Sequence, residues 1–359
     1  MKRESENNIK QKFSLLLQKW NRLKNNRQMP WKGEKDPYKI WLSEIILQQT
    51  RVEQGLSYYH NFIKTFPDVH ALANADDNKV FKLWEGLGYY TRCRNLLVTA
   101  RYISKQLNGK FPDDYNEIIK LKGIGSYTAA AISSFAYNLP YAVVDGNVFR
   151  VIARVFGIAK ATDTTEGKKF FSNLANELLD KKQPGIYNQA IMDFGAVVCK
   201  PLAPLCVDCV FKNQCIAFQN NKVNELPVKA KKLKSKTRWF NYLIITHKNE
   251  LLIHERTIKD IWQNLYEFTL IEASKEENLK TILKVALKKN ILNTKYYKVI
   301  SSSPVYKQQL SHQLIKGRFI EIELSKQTLL HGNGIWVKRT DLRKYPFPRF
   351  INQYLEQNI

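Results

Sequence analysis

The first two thirds of the chain carry apolar residues at intervals of three and four, and the last third carries them in short β-like runs. Up to about Asn220 the three-four spacing recurs in "FSLLLQKW", "YKIWLSEIILQQTRV", "KVFKLWEGL", "LLVTARYISKQL" and "FFSNLANELL", broken by Pro or Gly. Residues 1–220 are therefore expected to form an all-α domain. From Trp239 the texture changes to "WFNYLIIT", "LLIHE", "LYEFTLIE", "YYKVIS", "GRFIEIEL" and "IWVK". One helix interrupts these strands, with Leu279, Ile282, Leu283, Ala286 and Leu287 on a shared face. Residues 239–359 are expected to form a small α+β domain. The lysine-rich stretch 221–238 has few large apolar residues and reads as a basic linker, either a solvated charge run or a phosphate contact.

Within the helical half, "LKGIGSYTAAAISSF" places Gly123 and Gly125 in a tight turn just before a helix beginning near Ser126. Both glycines can adopt positive φ, and Leu121 and Ile124 would anchor the turn. A turn feeding a helix N-terminus is an anion seat. Downstream, "VVDGNVFRVIARVFGI" sets Asp145 directly before a helix with apolar positions at Val148, Val151, Ile152, Val155 and Phe156. Asp145 suits an N-cap, and a carboxylate there is expected to stay ionised through the helix dipole and N–H bonds. Upstream, the stretch "DPYKIWLSEIILQQTRVEQ" reads as one helix. Its Glu44 has Ile40, Trp41, Leu47 and Gln48 one turn away, so burial would favour the protonated acid. The same spacing also allows Glu44 to face solvent at the edge of an amphipathic helix.

Charge adds a partner. The 359 residues carry 57 Lys+Arg against 32 Asp+Glu, a formal net charge of +25. An excess of that size attracts a polyanion, and nucleic acid is the expected partner. No apolar run approaches the roughly 20 residues of a membrane span, and "MKRESENNIK" lacks an apolar signal core. A soluble intracellular protein is expected, cytoplasmic and nucleoid-associated if bacterial, acting as a monomer. Of five cysteines, Cys199, Cys206, Cys209 and Cys215 fall in a C-x6-C-x2-C-x5-C run within 17 residues. Such a run points to a metal site, zinc being the generic occupant. Cys93 stands apart and reads as a small core residue.

Together "LKGIGSYTAAAI" and "VVDGNVFRV" resemble the helix-hairpin-helix DNA glycosylases, and "SEIILQQTR" resembles their adenine glycosylase (MutY) branch. The resemblance implies a monofunctional DNA glycosylase acting on double-stranded DNA with adenine opposite 8-oxoguanine. It implies that Glu44 protonates the adenine ring and Asp145 stabilises the cationic sugar, with Tyr127 and Asn147 in support. It places Gln49, Thr50 and Leu87 on the lesion side, and Tyr89 as a wedge in the base stack. The cysteine spacing resembles the family's iron-sulfur loop, which implies a 4Fe–4S cluster at 199–215. A branch with lyase activity on oxidised pyrimidines carries a lysine where this chain has Tyr127, leaving a Schiff-base route without its nucleophile. A non-catalytic iron-sulfur DNA-binding protein is the other alternative.

The C-terminal half resembles the MutT-like (Nudix-type) domain of the same branch. Lysines in "SKEENLKTILKVALKKN" replace the acids that hold divalent metal in hydrolytic members, which implies lesion recognition without nucleotide hydrolysis. A Phe-Ser-His recognition motif is matched by Leu310, Ser311 and His312, and "QN" at 263–264 replaces an expected glycine pair. The implied architecture is a helix-hairpin-helix glycosylase domain with an iron-sulfur loop, followed by an α+β Nudix-like domain.

Overall fold

The computed structural model describes residues 2–230, 235–293, 296–326 and 334–358, with side chains from residue 9 onward. The chain divides into two compact units. One joins Met1–Asn74 to Asn95–Lys232; the other joins Ala75–Arg94 to Leu233–Ile359. Sequence periodicity placed 75–94 in the helical half, whereas its packing partners lie among the C-terminal residues. Among the described residues no helix is long and apolar enough to cross a membrane.

Among the described residues the first unit holds helices joined by irregular stretches, and no strand. Helix Pro37–Leu47 starts at an Asp36 N-cap with Pro37 in the first turn, and buries every residue from Ile40 to Ile46. A helix apolar on all sides belongs inside a core. Its continuation is shorter than periodicity suggests: Gln49 takes φ 57° and a second helix, Val52–Thr65, begins after Arg51. Gly55 explains the close crossing, because a Cβ there would lie 2.8 Å from Leu47. The break turns Gln49 and Thr50 out of the helix. Helix Ser126–Tyr137 packs against Pro37–Leu47, and its small residues Ala129, Ala130 and Ala131 are buried. Gln48 Nε2 also donates to Thr128 Oγ1 across this contact at 3.2 Å.

A larger cluster joins the N-terminal helix Lys2–Lys24 to helices Gly146–Val155, Thr165–Leu178 and Pro184–Val197. Phe13, Trp20, Phe194 and Phe211 pack ring against ring within it, at centroid separations of 4.8 to 5.3 Å. The stretch expected as a linker is partly claimed by this core. Leu226 is buried there, Thr162 N–H donates to the Val228 carbonyl at 3.0 Å, and Ala230 N–H donates to Asp163 at 2.9 Å. Residues 231–234 of the expected linker lie outside the described residues, and from Lys236 the chain is already strand.

The second unit holds a mixed nine-stranded sheet among the described residues. Its strands are β1 (Lys236–His247), β2 (Glu250–Glu255), β3 (Tyr266–Glu267), β4 (Thr269–Ala273) and β5 (Tyr297–Ser302). The remainder are β6 (Tyr306–Gln309), β7 (Gln313–Gly317), β8 (Phe319–Leu324) and β9 (Gly334–Lys338). Strand β1 is central, antiparallel to β2 and β4 and parallel to β7 and β8. A strand covered on both faces reads as a continuous apolar run, as "WFNYLIIT" does. Leu243 and Ile245 meet Ile282 and Ala286 of helix Leu279–Lys288. The alternate residue Tyr242 stacks on Phe319, which stacks in turn on Tyr354 of helix Arg349–Asn358 at 4.3 Å.

One charged network sits beside this aromatic layer. Arg256 is buried and donates to Glu267 at 2.9 and 3.0 Å and to Asp260 at 2.8 Å; Arg238 grips Asp260 and Glu272. These bonds give the buried Arg256 and Glu267 opposite partners. Asn264, in the "QN" that replaces a glycine pair, adopts φ 68°. Asparagine tolerates that left-handed conformation better than most non-glycine residues.

Candidate active site

Glu44 lies in the middle of the buried helix Pro37–Leu47 and is itself buried, at 7% exposure, among Ile40, Trp41, Ile45 and Ile46. The solvent-facing alternative is thereby excluded. Burial pushes its carboxyl up to about 7, the nearby Asp145 charge adds to the rise, and a hydrogen bond from the Tyr127 hydroxyl opposes it. Tyr127 belongs to the first turn of helix Ser126–Tyr137, with its hydroxyl also 3.5 Å from the Met192 sulfur. Burial and the two neighbouring carboxylates hold the phenol neutral. A tyrosine at this position therefore serves as a hydrogen-bond donor to the acid.

Asp145 caps helix Gly146–Val155, accepting from Val148 N–H at 2.8 Å. Its second oxygen accepts from Asn147 Nδ2 at 2.8 Å. Burial outweighs these bonds and raises its pKa, while Val148, Asn147 and Arg150 oppose the rise. The negative charge at this position is thus costly and is held by donors. Asn147 is fixed from both ends, since its Oδ1 accepts from Arg150 Nη2 at 2.8 Å. Arg150 also donates to the Gly195 and Cys199 carbonyls at 2.7 Å each. A Cβ at Gly195 would stand 2.6 Å from Asn147, so only glycine lets the two helices meet here.

The hairpin opens the cleft on one side. Gly123 takes φ 79° and a Cβ there would meet Asn95 at 2.6 Å. Gly125, expected to share that conformation, instead sits at φ −96° as the N-cap, with no side chain capping the helix. Leu121 and Ile124 are buried beneath the turn, as their spacing suggested, and Gly123, Gly125 and Ser126 are exposed. Exposed, uncapped N–H groups at a helix start favour an anion.

One cleft of about 660 Å³ in the first unit is lined by Glu44, Gln49, Thr50, Gly123, Gly125, Tyr127, Asp145 and Asn147. Residues separated by a hundred positions converge on it. The structure adds Arg27, Trp31, Gln189 and Met192 to the same walls. None of these stood out in sequence, because a lone Arg, Trp or Gln has no spacing that separates it from a surface or core residue.

A separate pocket of about 400 Å³ within the second unit contains Tyr89, Ser311 and His312. Tyr89 is 43% exposed and takes φ 48°, a sparsely populated conformation for an aromatic residue. Its hydroxyl hydrogen-bonds Ser311, and the Arg92 guanidinium covers its ring at 5.3 Å. Ser311 and His312 lie at the turn of the β6–β7 hairpin. Gln308 on β6 points a buried side-chain oxygen toward the same pocket with no partner among the described residues. Leu87 is buried beneath the loop and reaches neither pocket.

Cys199, Cys206, Cys209 and Cys215 all line one small cavity, with Arg154 at its edge. Arg154, itself buried, donates toward the Cys199 sulfur at 3.5 Å and to the carbonyls of Lys200 and Leu226. The Phe211 N–H approaches the Cys209 sulfur at 3.4 Å. Among the described residues no three Cys, His, Asp or Glu side chains are drawn together at metal-holding distances. Burial pushes the Cys209 thiol up to about 12 and raises Cys206 and Cys215. Cys93 is fully buried and apart from them.

Comparison with known proteins places this geometry. Residues 42–177 match the HhH-GPD superfamily base excision DNA repair protein model, and residues 241–357 match a NUDIX domain model. The adenine DNA glycosylase of Buchnera aphidicola subsp. Schizaphis graminum (strain Sg) is 33% identical over 355 residues, spanning 96% of this chain and 98% of that protein. The chain belongs to the adenine DNA glycosylase family. Another member of the adenine DNA glycosylase family, from Mus musculus, is 38% identical over 209 residues, covering 56% of this chain and 41% of that protein. The fold extends beyond adenine DNA glycosylases. A thermostable thymine-DNA glycosylase superposes with a TM-score of 0.56 at 26% identity, over 60% of this chain and 99% of that one. Endonuclease III, solved in a non-covalent complex with DNA, gives 0.51 at 20% identity over 59% and 97%.

Proposed function

We propose that this chain excises adenine mispaired with 8-oxoguanine from duplex DNA by hydrolysing the N-glycosidic bond of an everted nucleotide. The observation that carries the reading is the pairing of Glu44 and Asp145 in one cleft: an acid that burial keeps protonated up to about 7, and a helix-capping carboxylate that accepts from the Val148 N–H and Asn147 Nδ2. Glycoside cleavage needs those two roles. Glu44 gives its proton to the purine as the bond to C1′ breaks, so the base leaves neutral. Asp145 faces the positive charge left on the sugar. Water then supplies the oxygen at C1′ and a proton that restores the acid. Tyr127 orients Glu44, and Asn147 orients Asp145.

The exposed N–H groups at Gly123 to Ser126 suit a backbone phosphate, and Gln49 and Thr50 lie at the cleft's edge. Lesion recognition is assigned to Tyr89, Ser311 and His312, supported by the strained, exposed Tyr89 and its bond to Ser311. The enzyme is proposed to work as a monomer, in the cytoplasm beside the chromosome.

In the experiment that tests this, duplexes carrying adenine opposite 8-oxoguanine, guanine or thymine are incubated with the protein and worked up with or without alkali. Adenine release opposite 8-oxoguanine, with strand breaks only after alkali, is expected. Breaks without alkali would instead indicate lyase action, and no release from any duplex would end the proposal.

Cys199, Cys206, Cys209 and Cys215 are proposed to hold a 4Fe–4S cluster. Four sulfurs on one cavity fit such a group, and its cationic iron would be the counter-charge that keeps buried thiols ionised. It would stiffen a basic loop and takes no part in bond cleavage here. A brown preparation with broad visible absorption is expected; a colourless protein containing zinc would overturn the assignment.

A further inference from the structure

We propose that Asp193 is a positioning residue for base release, its carboxylate fastening the irregular segment Asn25–Lys32 and the side chain of Gln189 to the wall of the cleft that receives the purine. The inference rests on the cleft assignment above. Asp193 is fully buried in helix Pro184–Val197 and does not line the cleft itself. It accepts from four side chains: Arg27 Nη1 at 2.9 Å, Asn25 Nδ2 at 2.9 Å, Gln189 Nε2 at 3.0 Å and Lys32 Nζ at 3.2 Å.

Three of these donors come from a stretch with neither helix nor strand, between Lys24 and Pro37. That stretch supplies Arg27, Met29 and Trp31 to the cleft. Trp31 has its own support, packing edge-on against Tyr59 at 5.3 Å. Arg27 is held otherwise: its guanidinium is tied to Asp193, and its carbonyl accepts from Lys32 Nζ at 2.9 Å, the same ammonium that pairs with Asp193. One carboxylate therefore sets the position of Arg27 through both ends of the residue. Gln189, one turn earlier on the same helix, is turned toward the cleft by the same oxygen that binds Arg27. A purine offers acceptor nitrogens and an amino group, which a guanidinium and an amide can meet only if they are fixed in place.

The test is single-turnover adenine release by Asp193→Asn, Asp193→Glu, Arg27→Ala and the double variant Asp193→Asn/Arg27→Ala, with duplex affinity measured alongside. Asp193→Asn should slow release about 100-fold, the cost of displacing positioning groups by an ångström or so, while duplex affinity changes less than about threefold. Asp193→Glu should recover part of the loss, and the double variant should be slowed by much less than the product of the two single losses, because both act in large part through the Arg27 contact. Losses that multiply in the double variant, or an Asp193→Asn enzyme at the wild-type rate, would overturn the inference. If Asp193→Asn does not fold, Lys32→Met carries the test: slowed release at unchanged duplex affinity supports the role, and an unchanged rate defeats it. A wild-type protein that releases no adenine would remove the parent reading, whereas an active wild type with multiplying losses removes this one alone.

Discussion

Asp145→Asn should lose adenine release by about 1,000-fold or more in single turnover while still binding lesion duplex. The magnitude follows from removing a charge fixed opposite a developing cation inside a water-poor cleft. The variant is well posed because asparagine is as good an N-cap as aspartate. The Val148 N–H therefore keeps an acceptor, and helix Gly146–Val155 should keep its start. Only one local bond is spoiled, since the new amide turns its NH2 toward Asn147 Nδ2, where a carboxylate oxygen now accepts. Burial raises the Asp145 pKa, so the folded protein bears a cost for that charge. The neutral variant should accordingly melt at or slightly above the wild-type temperature. An Asp145→Asn enzyme with wild-type single-turnover rates would dismiss the electrostatic role.

Glu44→Gln should slow release by about 100- to 10,000-fold, the range a positioned general acid supplies. Glutamine keeps the shape and can still meet Tyr127, but it has no proton to give. The pH profile separates this from a packing effect. In the wild type, activity should decline as pH rises through about 7, where Glu44 loses its proton, and Glu44→Gln should lack that limb. Stability should move the same way. A carboxyl whose folded pKa lies above its unfolded value stabilises the fold fully below the unfolded value, and that contribution disappears as pH climbs through about 7. Denaturation midpoints at pH 5 and pH 8 should differ less in Glu44→Gln than in the wild type. A wild-type profile flat from pH 6 to 9 would exclude Glu44 as the acid.

Sequence pattern reached the site's chemistry better than its walls. Glu44 and Asp145 were legible because each sits beside a strong local signal, an apolar helix face and a helix start. The hairpin was legible through Gly123 and its buried flanks Leu121 and Ile124. Arg27, Gln189 and Asp193 were not, because their significance depends on an irregular segment being pinned to a helix more than 150 residues away, and no periodicity records that. The break at Gln49 was hidden for a related reason: "LQQTRV" keeps helical spacing, and what ends the helix is the crossing permitted by Gly55. The β6–β7 hairpin escaped because its residues, Tyr306 to Gln309 and Gln313 to Gly317, are largely polar and half-exposed. In the second unit the central strand was plain, since burial on both faces leaves an unbroken apolar run.

The membership of residues 75–94 bears on how the molecule is made. Lys82 Nζ donates to the Tyr345 carbonyl, Glu85 accepts from Phe347 N–H at 2.8 Å, and Arg94 donates to the Gln263 carbonyl. The first two contacts span more than 260 positions. A ribosome releases the loop bearing Tyr89 long before it releases those partners. The nascent chain must therefore carry this segment without those two contacts until Tyr345 and Phe347 have been synthesised, and translation that stops before them leaves a fragment lacking both.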